Sequence, residues 1–172
     1  MVDKFLNFRE TKGWKILRIL QEAIIVLAAA SVVLLFIAEV LARYIFNINF
    51  VGYDEIVLLA VVWLYFIGGG YAMYKKEHIS AEMTPLFLKG RKLQAARLVM
   101  IWVTFAIAVV LVCWGIGFTT YSLERPSFTI ALGIPKIAGQ LSLVLGYILV
   151  AFYSLFYAIE DTIKFVRRET NE

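Results

Sequence analysis

The stretch ARYIFNINFVGYDEIVLLAVVWLYFIGGGYAMYKKEHI, residues 42–79, decides the fold. Its segment 56–74 carries no charge, whereas Arg43, Asp54 and Glu55 stand before it and Lys75, Lys76, Glu77 and the chain's single histidine, His78, follow it. A helix crossing about 30 Å of hydrocarbon needs about 20 mostly apolar residues, because no water is present to satisfy the backbone N–H and C=O groups. Segment 56–74 has that length and composition, with the charges kept to its two ends.

Three further runs have the same character: 19–38, interrupted by Glu22 and Ser31; 98–118, with Thr104; and 137–159, with Gln140, Ser142 and Ser154. The whole chain is 62% hydrophobic and 17% charged over 172 residues, with mean hydropathy +0.80. A soluble domain is nearer to about 45–50% apolar and about 25% charged. The expected fold is therefore an all-α integral membrane protein, one four-helix membrane domain over residues 1–172.

Lysine and arginine alternate in density along the loops. Lys4, Arg9, Lys12, Lys15 and Arg18 precede the first run, and only Arg43 separates the first from the second. Lys75, Lys76, Lys89, Arg91, Lys92 and Arg97 lie before the third run, only Arg125 and Lys136 before the fourth, and Lys164, Arg167 and Arg168 after it. Basic residues collect on the cytoplasmic side of a membrane protein. The pattern predicts an N-in/C-in arrangement, with both termini and the middle loop in the cytoplasm. The N-terminal run is expected to be a retained signal anchor, since it is too long for a cleaved signal peptide and lacks a small-residue cleavage site.

A net charge of +4 with pI near 9.2 does not point to nucleic acid, because the basic residues sit in short clusters at helix ends. Anionic lipid headgroups account for them better. Between the second and third runs, Ile79, Met83, Leu86 and Phe87 form one helical stripe among polar neighbours. An amphipathic segment over about 79–91, broken at Pro85, is expected to lie along the cytoplasmic surface.

The residues exclude several chemistries. Cys113 is alone and deep in the third run, so neither a disulfide nor a redox pair is available within the chain. His78 alone cannot supply two axial imidazoles, and no other cluster offers a metal site. No phosphate-binding glycine loop or nucleophile–base set is visible, so no enzyme, cofactor or metal is expected. The middle portions of the spans hold no ionisable group, unlike most ion paths.

The charges at the ends remain. Glu39 and Arg43 are four apart, with the acid N-terminal to the base, so one helix face can hold both as a pair. Asp54 and Glu55 follow Gly52 at the start of the second helix, where carboxylates favour the positive end of the dipole. These groups read either as wet helix ends or as a contact with another protein or lipid at the outer surface. Gly68, Gly69, Gly70 and Ala72, Gly115 and Gly117, and Ser142 and Gly146 mark places where helices can approach closely. Trp63, Tyr65 and Phe66 lie too deep for an interfacial aromatic belt and face either lipid or a partner.

In order and spacing the chain resembles the small, four-span Q-type membrane subunit of TRAP (tripartite ATP-independent periplasmic) transporters. The resemblance rests on ARYIF at 42–46, DEI at 54–56, FIGGGYAMYKKEHISAEM at 66–83 and TIALGIPKIAG at 129–139. Arg43, Phe46, Asp54, Glu55, Gly68, His78, Gly133 and Pro135 occupy matching positions. Gly52 stands where a tryptophan is usual, Glu82 where an aspartate is, and Lys136 where an aromatic is frequent.

The resemblance implies a scaffold subunit in the sodium-coupled uptake of an organic acid, of sialic acid or C4-dicarboxylate type. Its expected partners are a large multi-span membrane subunit, which carries the substrate and sodium sites, a periplasmic substrate-binding protein, and membrane lipids. At this length the chain is not expected to be a fusion of both membrane subunits. Candidate interface or lipid-contact residues are Glu39, Arg43, Asp54, Glu55, Trp63, Phe66, Gly68, His78 and Pro135. A self-assembling four-span channel or exporter is the rival reading, for which Thr104, Gln140 and Ser142 are few polar lining groups.

Overall fold

The structure, a computed structural model, describes residues 12–49, 51–75 and 91–170. These form four long helices: α1 (Lys12–Tyr44), α2 (Tyr53–Tyr74), α3 (Arg91–Glu124) and α4 (Ile137–Thr170). Among the described residues there is no β-strand, only an isolated bridge between Phe128 and Pro135. All four helices are long and apolar enough to cross a membrane. His78 and nearly all of the amphipathic segment expected at 79–91 lie outside the described residues.

Each apolar run lies inside one helix, but three of the helices extend well beyond their runs. At 1.5 Å per residue, the 33 residues of α1 span about 50 Å, more than the hydrocarbon thickness. Apolarity marks only what lipid must surround, whereas the hydrogen-bonded helix continues until local chemistry stops it. In α1, Arg43 lies in the last turn, where a cation suits the dipole, and Asn47 then turns left-handed at φ 53°. In α3 the stop comes just before Pro126, which disfavours helical geometry in Arg125.

Contacts give the arrangement. Trp63 meets Ala138, Phe66 meets Gly146 and Tyr147, Gly70 meets Leu149, and Tyr74 meets Tyr157, so α2 and α4 run parallel. Phe36 packs on Tyr53 while Glu22 reaches Tyr71, which makes α1 antiparallel to α2. Gly115 packs on Leu143 and Trp102 reaches Thr162, so α3 is antiparallel to α4. The main packing is thus α1 on α2, α2 on α4 and α4 on α3, an open row in which Trp14 and Gln21 of α1 also reach α4 at one end.

This order explains the burial. In α1 only Trp14, Gln21 and Ala28 are buried, whereas 39% of the most apolar stretch of α4 is buried. Leu27, Val33, Leu34, Phe36 and Ile37 of α1, and Trp102, Val110 and Trp114 of α3, lie exposed. In lipid such faces carry little penalty, because acyl chains are as apolar as leucine, so association depends on close packing and hydrogen bonds instead.

Candidate functional site

The row has two structurally distinct ends. The connections 45–52 and 125–136 share one end, called here the loop end. The start of α1 and the ends of α2 and α4 form the other, the terminal end.

At the loop end, Glu55 does not cap its own helix. The N-cap is Gly52, left-handed at φ 86° and without a side-chain cap, and its carbonyl accepts from the Glu55 N–H at 3.1 Å. The Glu55 carboxylate reaches across to the connection before α4. Its Oε1 accepts from the Ala131 N–H at 2.8 Å and its Oε2 from the Leu132 N–H at 2.9 Å. Hydrogen bonds to an ionised acceptor are among the stronger ones, and two together fix orientation as well as distance.

The loop so held has its own framework. The Thr129 N–H donates to the Ile134 carbonyl at 2.9 Å, the Lys136 N–H to Ser127 at 3.0 Å, and the Ile134 N–H to the Thr129 hydroxyl at 2.9 Å. Gly133, at φ 64°, makes the turn, and the Pro135 carbonyl accepts from the Ala138 N–H in the first turn of α4. Leu132 lies over Gly52, where an added Cβ would come within 2.5 Å of its Cγ. Both the conformation and the space at position 52 therefore demand glycine. Phe128 and Ile130 are left facing outward.

Beside this clasp, Arg43 donates to Glu39 at 2.7 Å, the i, i+4 geometry read from the spacing. The pair is unevenly placed: the Glu39 side chain is 12% exposed and the Arg43 side chain 59%. Tyr53, buried beneath, feels the charges of Glu39, Asp54 and Arg43, and Asp54 itself is exposed. The described ion pair of Arg43 is with Glu39 and not with Asp54 or Glu55.

Midway along the row, Trp63 and Phe66 face α4. The Trp63 indole donates to the Ala138 carbonyl at 3.0 Å, and the Phe66 ring meets Tyr147 edge-on at 5.6 Å. A Cβ on Gly146 would lie 2.6 Å from the Phe66 carbonyl oxygen, and one on Gly70 would lie 2.8 Å from Leu149 Cβ. These two glycines are where α2 and α4 touch most closely. Gly68, Gly69 and Gly117 differ, with nothing from other parts of the described chain within 4 Å of an added Cβ. Tyr65 is exposed.

The terminal end is closed by aromatic packing. Trp14 lies 5.0 Å from Phe156 and 5.3 Å from Tyr153 between ring centroids, with Tyr74 and Phe152 also against it. Gln21, 2% exposed, accepts from the Tyr153 hydroxyl at 2.7 Å, and the Tyr157 hydroxyl donates to the Tyr74 carbonyl at 2.6 Å. Glu22 accepts from the Tyr71 hydroxyl at 2.7 Å and faces Arg18 at 3.6 Å. Sequence reading saw Glu22 only as an interruption of an apolar run and overlooked Gln21. The adjacent Gln–Glu pair within an apolar run was the available signal, since intramembrane polar groups need partners.

The described contacts are packing contacts within the chain: the Glu55 carboxylate holds two backbone amides, glycines admit neighbouring helices, and aromatic rings pack at one end. In comparison with known proteins, no curated sequence matches the chain. The family model described as "Tripartite ATP-independent periplasmic transporters, DctQ component" matches residues 32–164, from the middle of α1 to near the end of α4. Glu39, Arg43, Asp54, Glu55, Trp63, Phe66, Gly68, His78 and Pro135 all fall within the matched residues, and the chain belongs to the DctQ family, the small membrane component of these tripartite transporters.

Proposed function

We propose that this multi-pass membrane protein braces the large transport subunit of a sodium-coupled, binding-protein-dependent importer of an organic acid. Family membership supports the tripartite setting. The observation that carries the bracing role is the open row, which leaves the apolar faces of α1 and α3 largely uncovered among the described residues. The sodium gradient and the class of substrate, sialic acid or C4-dicarboxylate, follow the family resemblance. Both termini lie in the cytoplasm in this reading, supported by the fourteen-to-three partition of lysine and arginine. The loop end then faces the periplasm, where the binding protein delivers substrate. Glu39, Arg43, Asp54, Glu55 and Pro135 are the interface candidates there.

Reconstitution tests this reading. The chain alone in liposomes should move no substrate and pass no ion current, while adding the large subunit, the binding protein and a sodium gradient should give uptake of labelled organic acid. Sustained, substrate-specific flux through this chain alone would sink the scaffold role.

A further inference from the structure

A cavity of about 460 Å³ opens at the terminal end between α1 and α2, lined by Trp14, Arg18, Glu22, Tyr71, Tyr74 and Lys75. Among the described residues its charges do not cancel: two cations face one carboxylate. That carboxylate is already engaged, since Glu22 Oε1 both accepts from the Tyr71 hydroxyl and faces Arg18 Nε at 3.6 Å. The Arg18 Nε is itself shielded and has no hydrogen-bond partner, and the guanidinium, which also meets the Tyr74 hydroxyl, has five N–H donors in all. The Lys75 ammonium lies 5.1 Å from the centroid of the Tyr71 ring, so an aromatic face holds it at the mouth.

The level of the cavity matters as much as its charge. Arg18 immediately precedes the first apolar run and Lys75 immediately follows the second, so both cations stand at one membrane boundary. Aromatic rings line the cavity, as suits the headgroup region. From its mouth, the α2 stripe passes from Lys75 and Tyr71 to Gly68, where an added Cβ would meet nothing from the other described elements within 4 Å. On α1, the face of Arg18 and Glu22 continues into exposed Val26 and Val33. Beyond the charged cavity, the apolar surface at Gly68, Val26 and Val33 therefore offers an acyl chain a track along the two apolar runs.

We infer that this mouth binds one phospholipid with an anionic headgroup, its phosphate between Arg18 and Lys75 and an acyl chain along the track beside Gly68. The cavity admits a headgroup but not the acyl chains, which is why the open track is required. Glu22 acts as a positioning residue, holding Arg18 and Tyr71 in place. The inference goes beyond the transport reading, and its test reads lipid on this chain alone, so either can fail without the other.

The experiment is native mass spectrometry of the full-length chain, exchanged from detergent with phosphatidylglycerol or phosphatidylcholine. Wild type should retain phosphatidylglycerol preferentially. Lys75→Gln and Arg18→Gln should each lower that preference by about fivefold, as expected for one cation near an anionic lipid surface. Lys75→Gln leaves the Arg18–Glu22 pair intact and so reads the site even should Arg18→Gln fold poorly. Gly68→Leu, filling the track, should weaken retention of both lipids alike, and Lys136→Gln at the loop end should change nothing. Unaltered preference in folded Lys75→Gln would overturn the site. Displacement of the lipid by inorganic phosphate would overturn its lipid identity, leaving a free-anion site.

Discussion

The carbonyl oxygen of Phe66 lies where a side chain on Gly146 would begin: an added Cβ would approach it to 2.6 Å. The parallel pair α2 and α4 is built around that approach, because lipid supplies no hydrophobic push and close backbone contact has to hold helices together. Gly146→Ala should therefore push the pair apart and cost about 1–3 kcal/mol, the usual range for overpacking. Gly68→Ala, in open space, should leave the stability of the isolated chain nearly unchanged. Thermal unfolding in detergent distinguishes them, and equal effects would contradict the packing described.

Glu55 holds the connection before α4 through the amides of Ala131 and Leu132. Glu55→Ala should release it, and Glu55→Gln, which keeps a single acceptor oxygen, should do so less. A cysteine at the half-buried position 134 of the same connection, in a Cys113→Ala background, should then react severalfold faster with a soluble thiol reagent. Unchanged reactivity in Glu55→Ala would show that the loop holds itself.

Arg43→Ala leaves the Glu39 carboxylate, only 12% exposed, without its described partner. The expected cost is about 1–2 kcal/mol, from stranding a largely buried charge rather than from losing an exposed ion pair. Co-purification with the large subunit and uptake should both fall. The exchanged double variant Glu39→Arg, Arg43→Glu should recover assembly if the pair acts locally. Wild-type assembly in Arg43→Ala would reduce the pair to a solvated helix end.

Tyr153→Phe removes the donor to Gln21 and leaves a buried amide oxygen unsatisfied, at about 1–2 kcal/mol. Adding Gln21→Leu should cost less than the sum of the two single changes, because the second replacement removes the stranded group. Strict additivity in thermal unfolding would mean that the two side chains do not act as a pair.

Orientation is checked with single cysteines in the same Cys113→Ala background. Positions 4, 89 and 167 should label only from the cytoplasmic side, and positions 49 and 127 only from outside. Labelling of position 127 from the cytoplasm would overturn the proposed orientation.

The sequence by itself determined the four helices, their apolar stretches and the Glu39–Arg43 pair. Each is local: a hydrocarbon slab selects runs by length, and an i, i+4 spacing puts two side chains on one face. The order of the motifs also carried the family resemblance. Only the tertiary structure decided that Glu55 serves a loop 76 residues away rather than its own helix, that Gly146 and Gly70 are closely packed while Gly68 is bare, and that Trp63 and Phe66 face α4. The Gln21–Tyr153 bond, between residues 132 apart, belongs with them. In a uniformly apolar helix every face reads alike, so periodicity cannot tell a lipid-facing side from a packed one. That choice is made by which backbones can come close enough to touch.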